Sequence, residues 1–221
     1  MFLLGFLQPL SFELFARRVV PLCVAAVLLA VLRNFILARE AGPVERERAS
    51  FVATGSMTAF CVVFYLVIRA GVRTGFGVVP VHGLPRSVLI LLGLLLIVAG
   101  TVTNILGRLS LGRNWANQAT VYREQTLVTE GVFGLVRHPL YAGLIWMLLG
   151  ASLIYLNIVA LLTAALIFVP MMHHRARIEE VMLEERFPEY ADYRKRVGMF
   201  YPKGLLGQEI VGPSGRSEEK P

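Results

Sequence analysis

Arg137-His138-Pro139-Leu140-Tyr141-Ala142-Gly143 and, some forty residues later, Arg175 with Glu179-Glu180 are the parts of this chain whose types and spacing could do chemistry. Pro139 is suited to the first turn of a helix, where its missing N–H costs nothing. A helix start also leaves free N–H groups that favour an anion such as a carboxylate. Packing alone explains Pro139, and it explains Arg137 as an anchor at a membrane surface. It does not explain Tyr141 and Gly143 following at once, or the polar lead-in that holds Gly131 and Gly134. Arg175 and Glu179 are four apart and share a helical face. The carboxylate pair read alone is equally well a solvated face; convergence with the first motif would make it half of a pocket for something charged.

Whether they converge depends on the elements that carry them. Of 221 residues, 56% are hydrophobic and 17% charged, whereas a soluble domain has about a quarter charged. The apolar residues form blocks near the roughly 20 residues that a bilayer requires. Three run Val19–Ala38, Ser50–Ile68 and Ser87–Leu106. The fourth, Leu140–Met172, spans 33 residues, too long for one span and enough for two short ones, with Asn157 beside Tyr155 as the turn. The expected fold is therefore all-α and integral to the membrane. It has about five transmembrane helices, including a C-terminal helical hairpin, plus loop and tail helices on one side. Pro170 is placed to bend the last helix near its exit.

The division expected along the chain is an interfacial N-terminal segment over 1–18, three transmembrane helices over 19–106, a core over 107–203 and a disordered tail over 204–221. The first segment has no basic region or small-residue cleavage site ahead of Arg17-Arg18, so an interfacial helix with Phe2, Leu3, Phe6, Leu7 and Leu10 is expected rather than a cleaved signal. With five helices, the 39–49 loop, the 107–139 loop and the tail share one side. They hold Arg39, Arg46 and Arg48, then Arg108, Arg113, Arg123 and Arg137, then nine Lys or Arg after His174, against five arginines opposite. The positive-inside rule places that richer side in the cytoplasm, and both motifs with it.

The net charge of +7 follows this topology; no basic groove interleaved with aromatics argues for a nucleic-acid partner. Cys23 and Cys61 lie in apolar blocks without a CxxC or a nearby His, so they read as small hydrophobes. His173 and His174 point about 100° apart on a helix, which suits an interface better than one metal ion. No metal is expected.

In combination the motifs resemble a family. Leu127-Val128-Thr129-Glu130-Gly131-Val132-Phe133, then Arg137-His138-Pro139-x-Tyr141-x-Gly143, Trp146, Gly150, Leu156-Asn157, Arg175, Glu179-Glu180 and Leu183 look like the signature of the isoprenylcysteine carboxyl methyltransferases and, more loosely, the phospholipid methyltransferases. Phe187 to Tyr193 and Val197 to Pro202 are similar to the closing segment, one residue shorter than the commoner Phe-Gly-x-x-Tyr spacing. The resemblance covers roughly 104–202. It implies an S-adenosylmethionine-dependent membrane enzyme acting on a lipid or lipidated substrate drawn from the bilayer. In agreement, no Gly-x-Gly-x-x-Gly follows a strand. By the resemblance, Arg137, His138, Tyr141, Leu127, Val128, Gly131 and Glu180 would hold the cofactor. Arg175 and Glu179 would orient substrate and serve catalysis, with Arg108 a further candidate near Asn104, where the family's loop arginine falls. The competing readings are an NADPH-dependent sterol-reductase-like enzyme and a non-catalytic transporter or scaffold. Against the latter, the helix centres are nearly free of charge.

Overall fold

The computed structural model describes residues 12–38, 44–47, 51–112, 120–122 and 126–203. Residues 1–11, the tail expected from 204 and Arg39, Arg48, Arg113 and Arg123 lie outside them. The elements are α1 (Phe12–Ala38), β1 (Val44–Glu47), α2 (Phe51–Thr74), α3 (Gly83–Leu111), β2 (Thr120–Tyr122), α4 (Val132–Leu135), α5 (Pro139–Ile154), α6 (Ile158–Thr163), a π-helical turn (Ala164–Phe168), α7 (Val169–Arg186) and α8 (Tyr190–Arg196).

Among the described residues, four helices are long and apolar enough to cross a membrane: Phe12–Ile36, Gly55–Thr74, Gly83–Leu111 and the run Ile158–Arg186. The apolar α5, with 16 residues, is the short fifth, as the hairpin required. Among the described residues, the helices are joined by one antiparallel ribbon in which β1 pairs with β2, Val44 opposite Tyr122 and Glu47 opposite Thr120. It joins the α1–α2 connection to the α3–α4 connection, as the shared side of those two loops requires.

The first helix is described from Phe12, and residues 12–18, expected in an interfacial segment, are continuous with the first span. The reason is electrostatic. Glu13 pairs with Arg17 at 2.7 Å and also accepts from Arg86 in the first turn of α3, so charges at the membrane face are matched and the helix need not end there. Arg17 also lies 5.5 Å from the centre of the Tyr155 ring at the hairpin turn.

That turn is built from Leu156, at φ 51, and Asn157. The Asn157 side chain accepts from the Ala160 N–H at 2.8 Å, capping α6, and donates to the Phe76 carbonyl at 2.9 Å. Both halves of the amide are thus matched, which a bilayer demands of any buried polar group. The π turn directly precedes Pro170, whose missing N–H and ring disturb the regular ladder. Beyond it α7 leaves the apolar layer carrying Arg175, Glu179 and Glu180.

α3 and α5 form the most extensive helix contact, and glycines set it. A Cβ on Gly100 would lie 2.5 Å from the Gly143 carbonyl oxygen, and one on Gly93 2.6 Å from that of Gly150. Gly93, Gly100 and Gly107 repeat every seven residues on α3, as do Gly143 and Gly150 on α5. The two backbones therefore touch along a seam, the form of packing that drives helix association where lipid tails compete with apolar side chains. Gly107, at the end of the seam, receives Pro139 and Leu140, which fixes the start of α5 against the end of α3.

Candidate active site

The chain entering α5 is held by backbone before any side chain acts. Arg137 N–H donates to Gly198 O at 2.8 Å and His138 N–H to Met199 O at 3.1 Å, with Val136 and Gly198 forming a parallel bridge. The C-terminal segment thus lies along the motif like a strand. On the other side, Asn104 of α3, fully buried, donates to Leu140 O at 2.8 Å and accepts from Arg108 Nε at 2.9 Å.

On this frame the sequence motifs meet. Arg137 Nε and Nη2 both donate to Glu180 Oε1, at 2.9 and 2.8 Å. Arg137 Nη1 donates to Arg194 O at 3.1 Å and to Val197 O. His138 Nε2 lies 3.3 Å from the same Glu180 oxygen, and its Nδ1 3.7 Å from Glu179 Oε2. Tyr141, one turn into α5, donates its hydroxyl to Glu179 Oε1 and accepts from Arg175 Nε at 2.8 Å. Arg175 also lies 3.7 Å from Glu179 and 5.7 Å from the centre of the Tyr141 ring. His138 and Tyr141 stack with ring centres 5.7 Å apart at 10°.

Of the residues expected at the site, Arg137, His138, Tyr141, Arg175, Glu179 and Glu180 form this one cluster. Arg108, buried in the last turn of α3, donates to Asn104, which in turn holds the Leu140 carbonyl at the start of α5. Leu127 packs with Tyr190, Tyr193 and Val197 instead. Val128 is half-buried, and exposed Gly131, at φ 61, starts α4.

Sequence reasoning left Tyr190 and Tyr193 without a role, because their spacing departs from the commoner pattern. Both are buried behind Glu180, and Tyr193 donates to Phe133 O at 2.6 Å. Burial pushes both phenols above their ordinary range, the Glu180 charge adding to this at both, so both stay neutral. Phe200 meets His138 edge-on at 6.3 Å. Arg177 and Arg194 approach Glu180 Oε2, each at 3.8 Å. The run of Arg and Lys in α8 was visible in the sequence, but the return of one of them to Glu180 was not. His173 and His174 are exposed on α7.

The architecture resembles that of a solved intramembrane methyltransferase. The solved eukaryotic intramembrane Ras methyltransferase ICMT (isoprenylcysteine carboxyl methyltransferase) superposes with a TM-score of 0.54 at 25% identity, over 67% of this chain and 53% of that one. The family model for phospholipid methyltransferases matches residues 88–190. The protein-S-isoprenylcysteine O-methyltransferase of Saccharomyces cerevisiae is 30% identical over 124 residues, 55% of this chain and 52% of that protein. The rat protein of the same name is 31% identical over 118 residues, 51% of this chain and 42% of that one. The cobalt-zinc-cadmium resistance protein CzcN of Cupriavidus metallidurans is 34% identical over 95 residues, 42% and 44% of the two chains. The chain is thus similar to the phospholipid methyltransferase family over residues 88–190 and to isoprenylcysteine O-methyltransferases over about half its length. It spans about half the length of the curated relatives it matches.

Proposed function

We propose that this protein is a membrane-embedded, S-adenosylmethionine-dependent methyltransferase acting on a lipid or prenylated amphiphile from the bilayer. The observation that carries the reading is the meeting of Arg137, His138 and Tyr141 with Arg175, Glu179 and Glu180 where the hairpin leaves the membrane. The amino-acid end of S-adenosylmethionine is a zwitterion, and guanidiniums and carboxylates alternate here within 4 Å. Glu180 Oε2 is buried and has no hydrogen-bond donor among the described residues, although two guanidiniums stand at 3.8 Å. That oxygen fits the ammonium, and the start of α5 with its arginines fits the carboxylate.

When bound, S-adenosylmethionine supplies an electrophilic methyl group for an in-line displacement. The residues then act by alignment, which accounts for a large share of the rate in such reactions. Arg137 holds Glu180 still, while Tyr141 fixes Arg175 against Glu179. Arg175 and Glu179 are in position to orient the acceptor. A carboxylate acceptor needs no base, whereas an amine acceptor would lose its proton to Glu179. The excess of basic residues on this side supports a site that faces the cytoplasm.

A calorimetric titration of the purified chain in detergent with S-adenosylmethionine and with NADPH tests the reading. Binding of the first alone is expected. NADPH binding without S-adenosylmethionine would indicate reductase-like chemistry, and binding of neither a non-catalytic protein.

A further inference from the structure

Buried polar side chains in the spans of this protein are almost all answered from within. Thr101 and Ser152 bond back to carbonyls of their own helices, Ile97 O at 2.7 Å and Leu148 O at 2.8 Å. Asn104 and Asn157 each use both ends of the amide. Among the described residues, Asn34 of α1 differs in that neither end of its amide is answered. It is 1% exposed, and neither Oδ1 nor Nδ2 has a hydrogen-bond partner among the described residues. An unanswered amide in an apolar surrounding is costly, so an Asn held there without a partner asks for a role that offsets the cost.

Its depth says what it serves. The buried stripe of α1 runs Ala16, Cys23, Val27 and Asn34, and the three apolar members share a core with Ile90 and Ile97 of α3. Glu13 and Arg86 pair in the first turns of α1 and α3, so the two helices run parallel. Asn34 lies 21 residues past Glu13, about 30 Å of helix rise, or one hydrocarbon thickness. Equal rise along α3 brings the comparison to Gly107 and Arg108, the end of the bundle where Asn104 holds the start of α5. An amphiphile whose chain stays in lipid would present its polar head at this end.

We infer that Asn34 is a specificity-determining contact for the polar head of the methyl acceptor, on the side of the site marked by buried Arg108. The inference rests on the methyltransferase reading and adds to it a residue of α1, which lies outside the matched segment 88–190. An amide offers a donor and an acceptor together, so it suits a head group that carries both a carbonyl or carboxyl oxygen and an N–H.

The test uses the full chain in lipid nanodiscs, with S-adenosylmethionine and an S-prenylated N-acetylcysteine as the acceptor probe. Asn34→Leu, and Asn34→Ala as the smaller control, are expected to raise the acceptor KM at least about tenfold, as loss of a buried hydrogen bond does. S-adenosylmethionine affinity is expected unchanged, with the ligand-free melting temperature equal or higher for Asn34→Leu, since an unanswered amide is removed. Unchanged acceptor KM in a wild-type enzyme that turns the probe over overturns the role of Asn34 alone. A fall in melting temperature together with S-adenosylmethionine affinity also overturns it, by showing a structural group. Absence of S-adenosylmethionine binding in the wild type sinks the methyltransferase reading and the acceptor contact with it. Binding of S-adenosylmethionine without turnover of the probe leaves that reading standing and overturns the prenylcysteine-type head group assigned to Asn34.

Discussion

Arg137 and Glu180, 43 residues apart, are joined by two nitrogens of one guanidinium on one carboxylate oxygen. Both side chains are almost fully buried, at 7% and 2% exposure. The third nitrogen holds the carbonyls of Arg194 and Val197. A single side chain therefore ties the entrance of α5 to α7 and to the segment after α8.

Breaking this tie leaves a buried charge without its partner, which costs about 3–5 kcal/mol. Arg137→Ala and Glu180→Ala are expected to lower the melting temperature sharply in nanodiscs and to weaken S-adenosylmethionine at least about tenfold. Arg137→Lys should recover little, because an ammonium cannot reach the carboxylate and two carbonyls in one plane. Full recovery by lysine would show that charge alone matters.

Tyr141 sits between Arg175 and Glu179. Tyr141→Phe keeps the ring that stacks with His138 and removes both hydrogen bonds. Because the partners are charged, about 1.5–3 kcal/mol is at stake. The loss is expected in kcat/KM, with the melting temperature close to wild type. An unaltered kcat/KM would exclude Tyr141 from positioning the pair. His138→Ala, which empties a place touching both glutamates, is expected to weaken cofactor binding at least about tenfold.

The glycine seam gives a prediction about folding rather than chemistry. Gly100→Val and Gly143→Val would push a Cβ to 2.5 Å from the opposite carbonyl, and overpacking of this kind costs about 1–3 kcal/mol or more. Both variants are expected to lose folded yield in detergent extraction. Gly55→Ala in α2, with nothing within 4 Å, is the control and should be neutral or slightly stabilising.

Tyr190 and Tyr193 have phenols raised by burial above the ordinary value of 10.0. Their contribution to stability is complete below the unfolded value and is lost as pH rises beyond it, since the unfolded chain releases its protons first. Packing of α8 against the site is expected to loosen in strongly alkaline solution, and Tyr193→Phe should lessen that sensitivity while losing the bond to Phe133 O. Spectrophotometric titration of wild type and variant reads both effects. Ordinary titration of these two phenols would contradict the burial argument.

Much of the fold was legible because membranes impose one-dimensional rules. Apolar length gave the spans, and Asn157 gave the turn, since only a residue able to satisfy backbone on both sides of it can sit there. The limits of helices were less legible. Phe12 to Arg18 are helical and continuous with the first span, and Arg86, distant in sequence, pairs with Glu13 there. The heptad spacing of glycines on α3 and α5 was present in the sequence and passed unread, because its meaning depends on which helix lies opposite.

The sequence by itself determined the membrane class, the start of α5 at Pro139 and the residue types of the charged cluster, because hydrophobic length and helix-start chemistry act locally. Tertiary structure alone decided how they are used. It made Arg137 a strut, brought Tyr190 and Tyr193 near Glu180, bonded Arg108 to Asn104 and left Asn34 without a partner among the described residues. Hydrogen bonds require atoms within about 3 Å, and that distance is set by how helices rotate and approach, which no single segment records.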